Sequence, residues 1–321
     1  MNIKKIGLTA LAASLVSVSA ANAGSMTISG AASVGIGGYS SDTHNAGTSF
    51  TMGNQFTVSG GGELDNGLNV SLSYQLDNAA GVSGPFDDHS ITISSDEIGT
   101  IKFSGHGGSS ATSAMDATAA GDIWDGFDGA FGNGGVTGLT IGASGGVDNS
   151  IYYTAPSLMD GLTLNASYNP QGSQAESETG YGVTYTGVEG LTLKYATMDE
   201  NTGTTGTSGD QTAWHIGYAL GPITLEVTNN DYDISAATSD KETSSYEISY
   251  TVSDELSVAY GTEEIDLGSS STDAEYSALV VTYTAGGMTL TGKMEEAENV
   301  DGSTNSNADV EYWFLGAAFA F

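Results

Sequence analysis

The sequence predicts an all-β fold, a transmembrane antiparallel β-barrel of about sixteen strands, on three observations. Segments with a period of two recur along the chain beyond residue 23. The connections between them fall into a short class and a long class that take turns. The chain ends on EYWFLGAAFAF, where Trp313, Leu315, Ala317, Phe319 and Phe321 share one parity. A frayed end of a soluble domain gains nothing from such residues. A strand whose outer face meets an apolar medium does.

The opening stretch, MNIKKIGLTALAASLVSVSAANA, reads as a secretory leader. Lys4 and Lys5 form a basic start, Ile6 to Val18 a short apolar core, and Ala21-Asn22-Ala23 a small-x-small cleavage pattern. Cleavage after Ala23 is expected, leaving 24–321 as a single barrel domain. Beyond the leader no apolar run approaches the ~20 residues of a membrane helix, so a membrane-spanning chain of this kind must cross with strands. Cysteine is absent, and stability must come from packing and backbone ladders. Glycine reaches 46 and proline only 4, which suits long ladders joined by tight turns.

Each strand repeats one pattern. DNGLNVSLSYQL sets Leu68, Val70, Leu72, Tyr74 and Leu76 against Asn69, Ser71, Ser73 and Gln75. DGLTLNASY, EGLTLKYATM and SYEISYTV do the same around Leu162, Leu191 and Tyr246. The short links are LDNG, DEIG, LMDG, GVEG, LGP, SDE and AGG; the long ones lie near 40–48, 78–87, 106–148, 169–178, 199–210, 230–242, 263–273 and 296–309. A soluble sandwich also alternates, but its connections do not sort by length. In lipid every backbone polar group must be paired internally, so the sheet has to close. The Leu, Val, Ile and Tyr stripe then faces lipid and the Ser, Thr, Asn and Gly stripe a wet lumen. Tyr168, Tyr195, Tyr218, Tyr250, Tyr260 and Tyr283 lie on the outward parity near strand ends, as an interfacial belt requires.

Charge narrows the function classes. With 39 acids, 6 lysines and no arginine, the chain offers phosphate backbones nothing, and nucleic acid is excluded as a partner. Disorder is excluded by the regular recurrence of aromatic and β-branched residues. The four histidines are scattered, and no nucleophile elbow or zinc motif appears, so no enzyme is expected.

The chain resembles the general bacterial outer-membrane porins, particularly the alphaproteobacterial, Rhodobacter-like type. GAAFAF is similar to their C-terminal strand signature, and DNSIYYTAPSLMDGLTLNASY to the stretch that follows their constriction loop. The long third connection, 106–148, matches the loop that folds into their lumen. The resemblance implies an outer-membrane channel for small hydrophilic solutes and ions, built as a homotrimer in outer-membrane lipid. It also implies that Gly316, Phe319 and Phe321 are read by the outer-membrane assembly machinery. One departure stands out: the family sets arginines across the pore from its loop acids, and here there are none.

Within 106–148, Ile123, Trp124, Phe127 and Phe131 alternate with Asp116, Asp122, Asp125 and Asp128. The apolar set can pack on the wall while the four aspartates face the constriction. Composition alone also suits an external loop with solvated acids. Parity turns Lys102, Lys194 and Lys293 inward, roughly 10–20 Å above the short turns. They either stand in for the missing arginines or are isolated lumen charges. GTEEIDLG and MEEAEN offer carboxylate oxygens to a hard cation such as Ca²⁺, or are simply solvated. The reading is a passive diffusion pore with moderate cation preference. A non-conducting barrel serving as adhesin or envelope stabiliser is the alternative.

Overall fold

The computed structural model describes residues 25–40, 48–77, 88–115, 119–127, 148–170, 177–200, 209–234, 240–266, 268, 272–302, 304 and 308–321. The expected leader therefore lies outside the described residues. Sixteen strands follow in order: β1 (Ser25–Tyr39), β2 (Thr48–Glu63), β3 (Asn69–Asp77), β4 (His89–Ser95), β5 (Gly99–His106), β6 (Ser150–Thr154), β7 (Leu162–Asn169) and β8 (Glu178–Tyr185). The second half comprises β9 (Leu191–Glu200), β10 (Gly209–Leu220), β11 (Ile223–Ile234), β12 (Lys241–Thr251), β13 (Leu256–Asp266), β14 (Ala274–Ala285), β15 (Met288–Glu298) and β16 (Val310–Ala320). Each strand pairs antiparallel with its neighbours in sequence, and β16 closes on β1 from Ala31↔Ala320 to Tyr39↔Tyr312. The seam is finished by the last residue, since Phe321 N–H donates to the Gly30 carbonyl (3.0 Å) and Gly30 N–H to that of Phe321 (2.8 Å).

The period of two in the sequence becomes two faces of one closed sheet. On β14, Leu279, Val281 and Tyr283 are exposed on the outside, while Ala274, Tyr276 and Ala278 are buried on the inside. Ile248, Tyr260, Leu279, Met294 and Trp313 are cross-strand partners in turn, making a continuous apolar belt around the outer wall. All six tyrosines assigned to the interface lie outward and exposed. Such a belt matches the lipid-facing band of a membrane barrel.

The seven short turns fall where the sequence puts them, and six use a glycine of positive φ: Gly67, Gly99, Gly161, Gly190, Gly221 and the Gly286-Gly287 pair. At Gly99 (φ 78°) a side chain would also strike the backbone between Thr154 and Pro156, where the next turn passes. Three long connections start at least three residues later than expected, because β11 runs to Ile234, β13 to Asp266 and β15 to Glu298. The acids of GTEEIDLG and MEEAEN thus stand on strands, and alternation sends neighbouring glutamates to opposite faces. Glu263 and Glu295 are buried inside; Glu264, Glu296 and Glu298 are exposed outside.

Candidate functional site

The third long connection leaves β5 and runs along the inside of the wall, tied to one strand after another. At its root the His106 ring lies between Asp88 (Nδ1 to Oδ1, 3.6 Å) and Asp148 (Nε2 to Oδ2, 3.7 Å). A tight turn follows, in which the Ser110 and Ser113 hydroxyls each accept the other residue's N–H. From there Ala111 N–H donates to Ser167 Oγ on β7 (2.9 Å), and the Thr112 hydroxyl to Gln211 Oε1 on β10 (3.0 Å). Lys194 Nζ on β9 donates to the Met115 carbonyl (3.1 Å).

Farther along, Ala119 N–H reaches Thr228 Oγ1 on β11 (3.1 Å) and Ala120 N–H reaches Ser245 Oγ on β12 (2.9 Å). The strongest tie is Glu263 on β13. Its two carboxylate oxygens accept the consecutive N–H groups of Ile123 (3.0 Å) and Trp124 (3.1 Å), and the residue is only 2% exposed. Charge-assisted bonds of this kind are roughly twice as strong as neutral ones. Beyond it Phe127, 1% exposed, packs its ring against Tyr276 on β14, Tyr312 on β16 and Tyr39 on β1.

The wall beneath the loop is paved with small residues that make room for it. Ala196, Ala213, Ala274, Ala278 and Ala297 are buried there. A Cβ on Gly261 would come within 3.1 Å of the Ala120 Cα, and one on Gly180 within 3.1 Å of the Ala111 Cβ. Burying Ile123 and Phe127 in this layer contributes about 1.5–3 kcal/mol each. Among the described residues the loop therefore occupies the β7–β16 side of the interior and leaves the β2–β6 side open. That open wall carries Thr51, Gln55, Ser73, Gln75 and Thr92, with Gln55 and Gln75 joined side chain to side chain (3.5 Å).

Of the loop aspartates, Asp122 is exposed and adopts a positive φ of 55° just before the Glu263 anchor. Asp116, Asp128 and the side chain of Asp125 lie outside the described residues. The three lysines assigned to the lumen face inward but do not converge, and Lys241 on β12 shares the inward parity. Lys194 lies under the loop, and Lys293 pairs with Glu295 on its own strand (Nζ to Oε1, 3.3 Å). Only Lys102, on β5, belongs to the open wall. Among the described residues no three acidic or histidine side chains are grouped to hold a metal ion. On β16, Phe319 and Phe321 point outward, the latter 73% exposed, and Gly316 faces inward.

The anchors Ser167, Thr228, Ser245 and Glu263 were not foreseen from sequence. Their one local signal is an acid, Glu263, on the lumen parity of an otherwise small or hydroxyl-bearing stripe.

Comparison with known proteins agrees with this geometry. A Gram-negative porin family model matches residues 7–302. No match is found among curated protein sequences. An anion-selective porin from Comamonas acidovorans superposes with a TM-score of 0.65 at 17% identity, over 92% of this chain and 99% of that one. A triple mutant of Rhodopseudomonas blastica porin gives 0.64 at 14% identity, over 92% and 100%. A loop-deletion mutant of OmpT, an outer membrane protein of Vibrio cholerae, gives 0.67 at 15% identity, over 93% and 99%. At such identities the structures speak for the fold.

Proposed function

Because the chain belongs to the Gram-negative porin family, whose closed barrels are outer-membrane channels, we propose that it is a passive diffusion pore for small hydrophilic solutes and ions, with a moderate preference for cations. The observation that supports this reading is the described part of the loop, pinned along one side of a closed barrel across from a wall of hydroxyls and amides. Selectivity then comes from the field of fixed charges acting on solutes in transit.

The cation preference rests on composition and placement. The chain has no arginine, and the 39 acids outnumber the 6 lysines. Two inward lysines are already engaged, with a carbonyl and with Glu295. The exposed Asp122 and the neighbouring Asp116, Asp125 and Asp128 are assigned to the narrow part. Export with cleavage after Ala23, recognition of Phe319 and Phe321 by the assembly machinery, and a homotrimeric state complete the proposal. Liposomes carrying the purified protein should swell in small sugars at rates that fall with solute size. Absence of size-dependent swelling removes the pore in favour of a non-conducting barrel.

A further inference from the structure

The lumen face of β16 carries two large rings in succession, Tyr312 and Phe314. They pair with Glu295 and Lys293 on β15 and with Tyr39 and Gly37 on β1. Tyr312 is explained by the loop, since its ring meets Phe127 and lies 4.6 Å from the ring of Tyr39. Phe314 is not. It stands one inward position farther toward the short-turn rim, outside the apolar cluster that seats the loop, and is half-buried.

Both rings fold down onto glycines. Phe314 fills the space that a side chain on Gly35 or on Gly316 would occupy, and the Tyr312 ring does the same at Gly37, with its Cζ 3.0 Å from the Cβ position. Gly35 and Gly316 are direct partners across the β1–β16 seam, so one ring spans a floor made by two bare backbones. On the same floor the Thr51 hydroxyl comes within 2.9 Å of the Gly35 Cβ position. On the other flank Lys293 pairs across from Phe314, with its charge compensated by Glu295 at 3.3 Å.

We propose that Phe314 and Tyr312, with the Thr51 hydroxyl beside them, form a weak, saturable site for uncharged sugar rings on the short-turn side of the constriction. A pyranose has a C–H-lined face and a hydroxyl rim. The face packs on an aromatic ring, which carries its own apolar area and quadrupole. The rim finds the Thr51 hydroxyl on one side and, on the other, the Lys293 ammonium, whose charge the buried Glu295 compensates. No uncompensated charge adjoins the ring among the described residues, so nothing there calls for an ionic ligand. A sugar leaving the narrow slot would meet this strip next.

The proposal rests on the pore reading, and the test separates the two. Single channels in planar bilayers are recorded in KCl with increasing concentrations of a linear glucose oligosaccharide. The wild type should show current interruptions that saturate with sugar. Phe314→Leu should conduct KCl normally while needing about tenfold higher sugar for half-block, and Thr51→Val should also raise the half-block concentration. Phe314→Tyr, which keeps the ring, should retain the block. Interruptions that never saturate, or a half-block unchanged in Phe314→Leu, overturn the site and leave the pore intact. A wild type without KCl conductance overturns the pore itself.

Discussion

Glu263 sits beside Glu264 in the chain, yet the two have unrelated tasks. One is sealed inside the barrel with both oxygens taken by loop amides, and the other is exposed on the outer wall. Replacing Glu263 by Ala leaves two buried N–H groups unpaired, at about 1–3 kcal/mol each. The barrel should survive this loss, because its ladders do not involve that carboxylate, but the loop segment should detach. Single-channel recordings should then show noisier current and larger mean conductance. Conductance and noise unchanged from wild type would mean that the loop is held without Glu263. The opposite change follows from Gly261→Val, which places methyl groups where Ala120 now rests and should push the loop into the opening, lowering conductance. Neither role was legible in the sequence. Parity separates the two glutamates, but which loop amide faces which strand depends on contacts more than a hundred residues apart, and no local pattern encodes them.

At the scale of the element, the strands and short turns were readable because their causes are local. A stripe such as Leu162, Leu164, Ala166 and Tyr168 can be satisfied only by a two-faced strand, and Gly161 supplies the positive φ of the turn from which it starts. β16 was readable in part. Its outward residues were assigned correctly, whereas the inward rings gained meaning only from the register that sets Phe314 over Gly35 and Tyr312 over Gly37. The same strand carries a prediction. Phe321 closes the seam through two backbone hydrogen bonds to Gly30, and its exposed ring lies over that glycine. Truncation of Phe321 removes both the last rung and the proposed assembly signal, and the precursor should accumulate in the periplasm. Phe321→Ala keeps the rung and tests the signal alone. Normal outer-membrane levels of Phe321→Ala, measured by cell fractionation, would assign the aromatic no role in targeting.

For the whole molecule the open question is the sign of the field in the lumen. Two arguments compete. Inward lysines at Lys102, Lys194, Lys241 and Lys293 favour anions, since a low-dielectric wall focuses the field of each fixed charge. Against them stand the loop aspartates and a net charge of −33 without one arginine. The lysines lose because Glu295 compensates Lys293, while Lys194 and Lys241 lie on the loop side of the barrel, which leaves Lys102 alone on the open wall. Charges at the mouths are screened over about 8 Å at physiological salt and about 3 Å at 1 M, so the preference should shrink with salt while the charges at the narrowing keep its sign. The reversal potential in a KCl gradient should therefore have the cationic sign at low salt and move toward zero, without crossing it, as salt rises. Converting Asp116, Asp122, Asp125 and Asp128 to asparagine should bring it near zero at every concentration. A reversal potential of anionic sign in the wild type would show that Lys102 governs the field, and a cation preference undiminished in the four-fold variant would place the deciding acids elsewhere than on the loop.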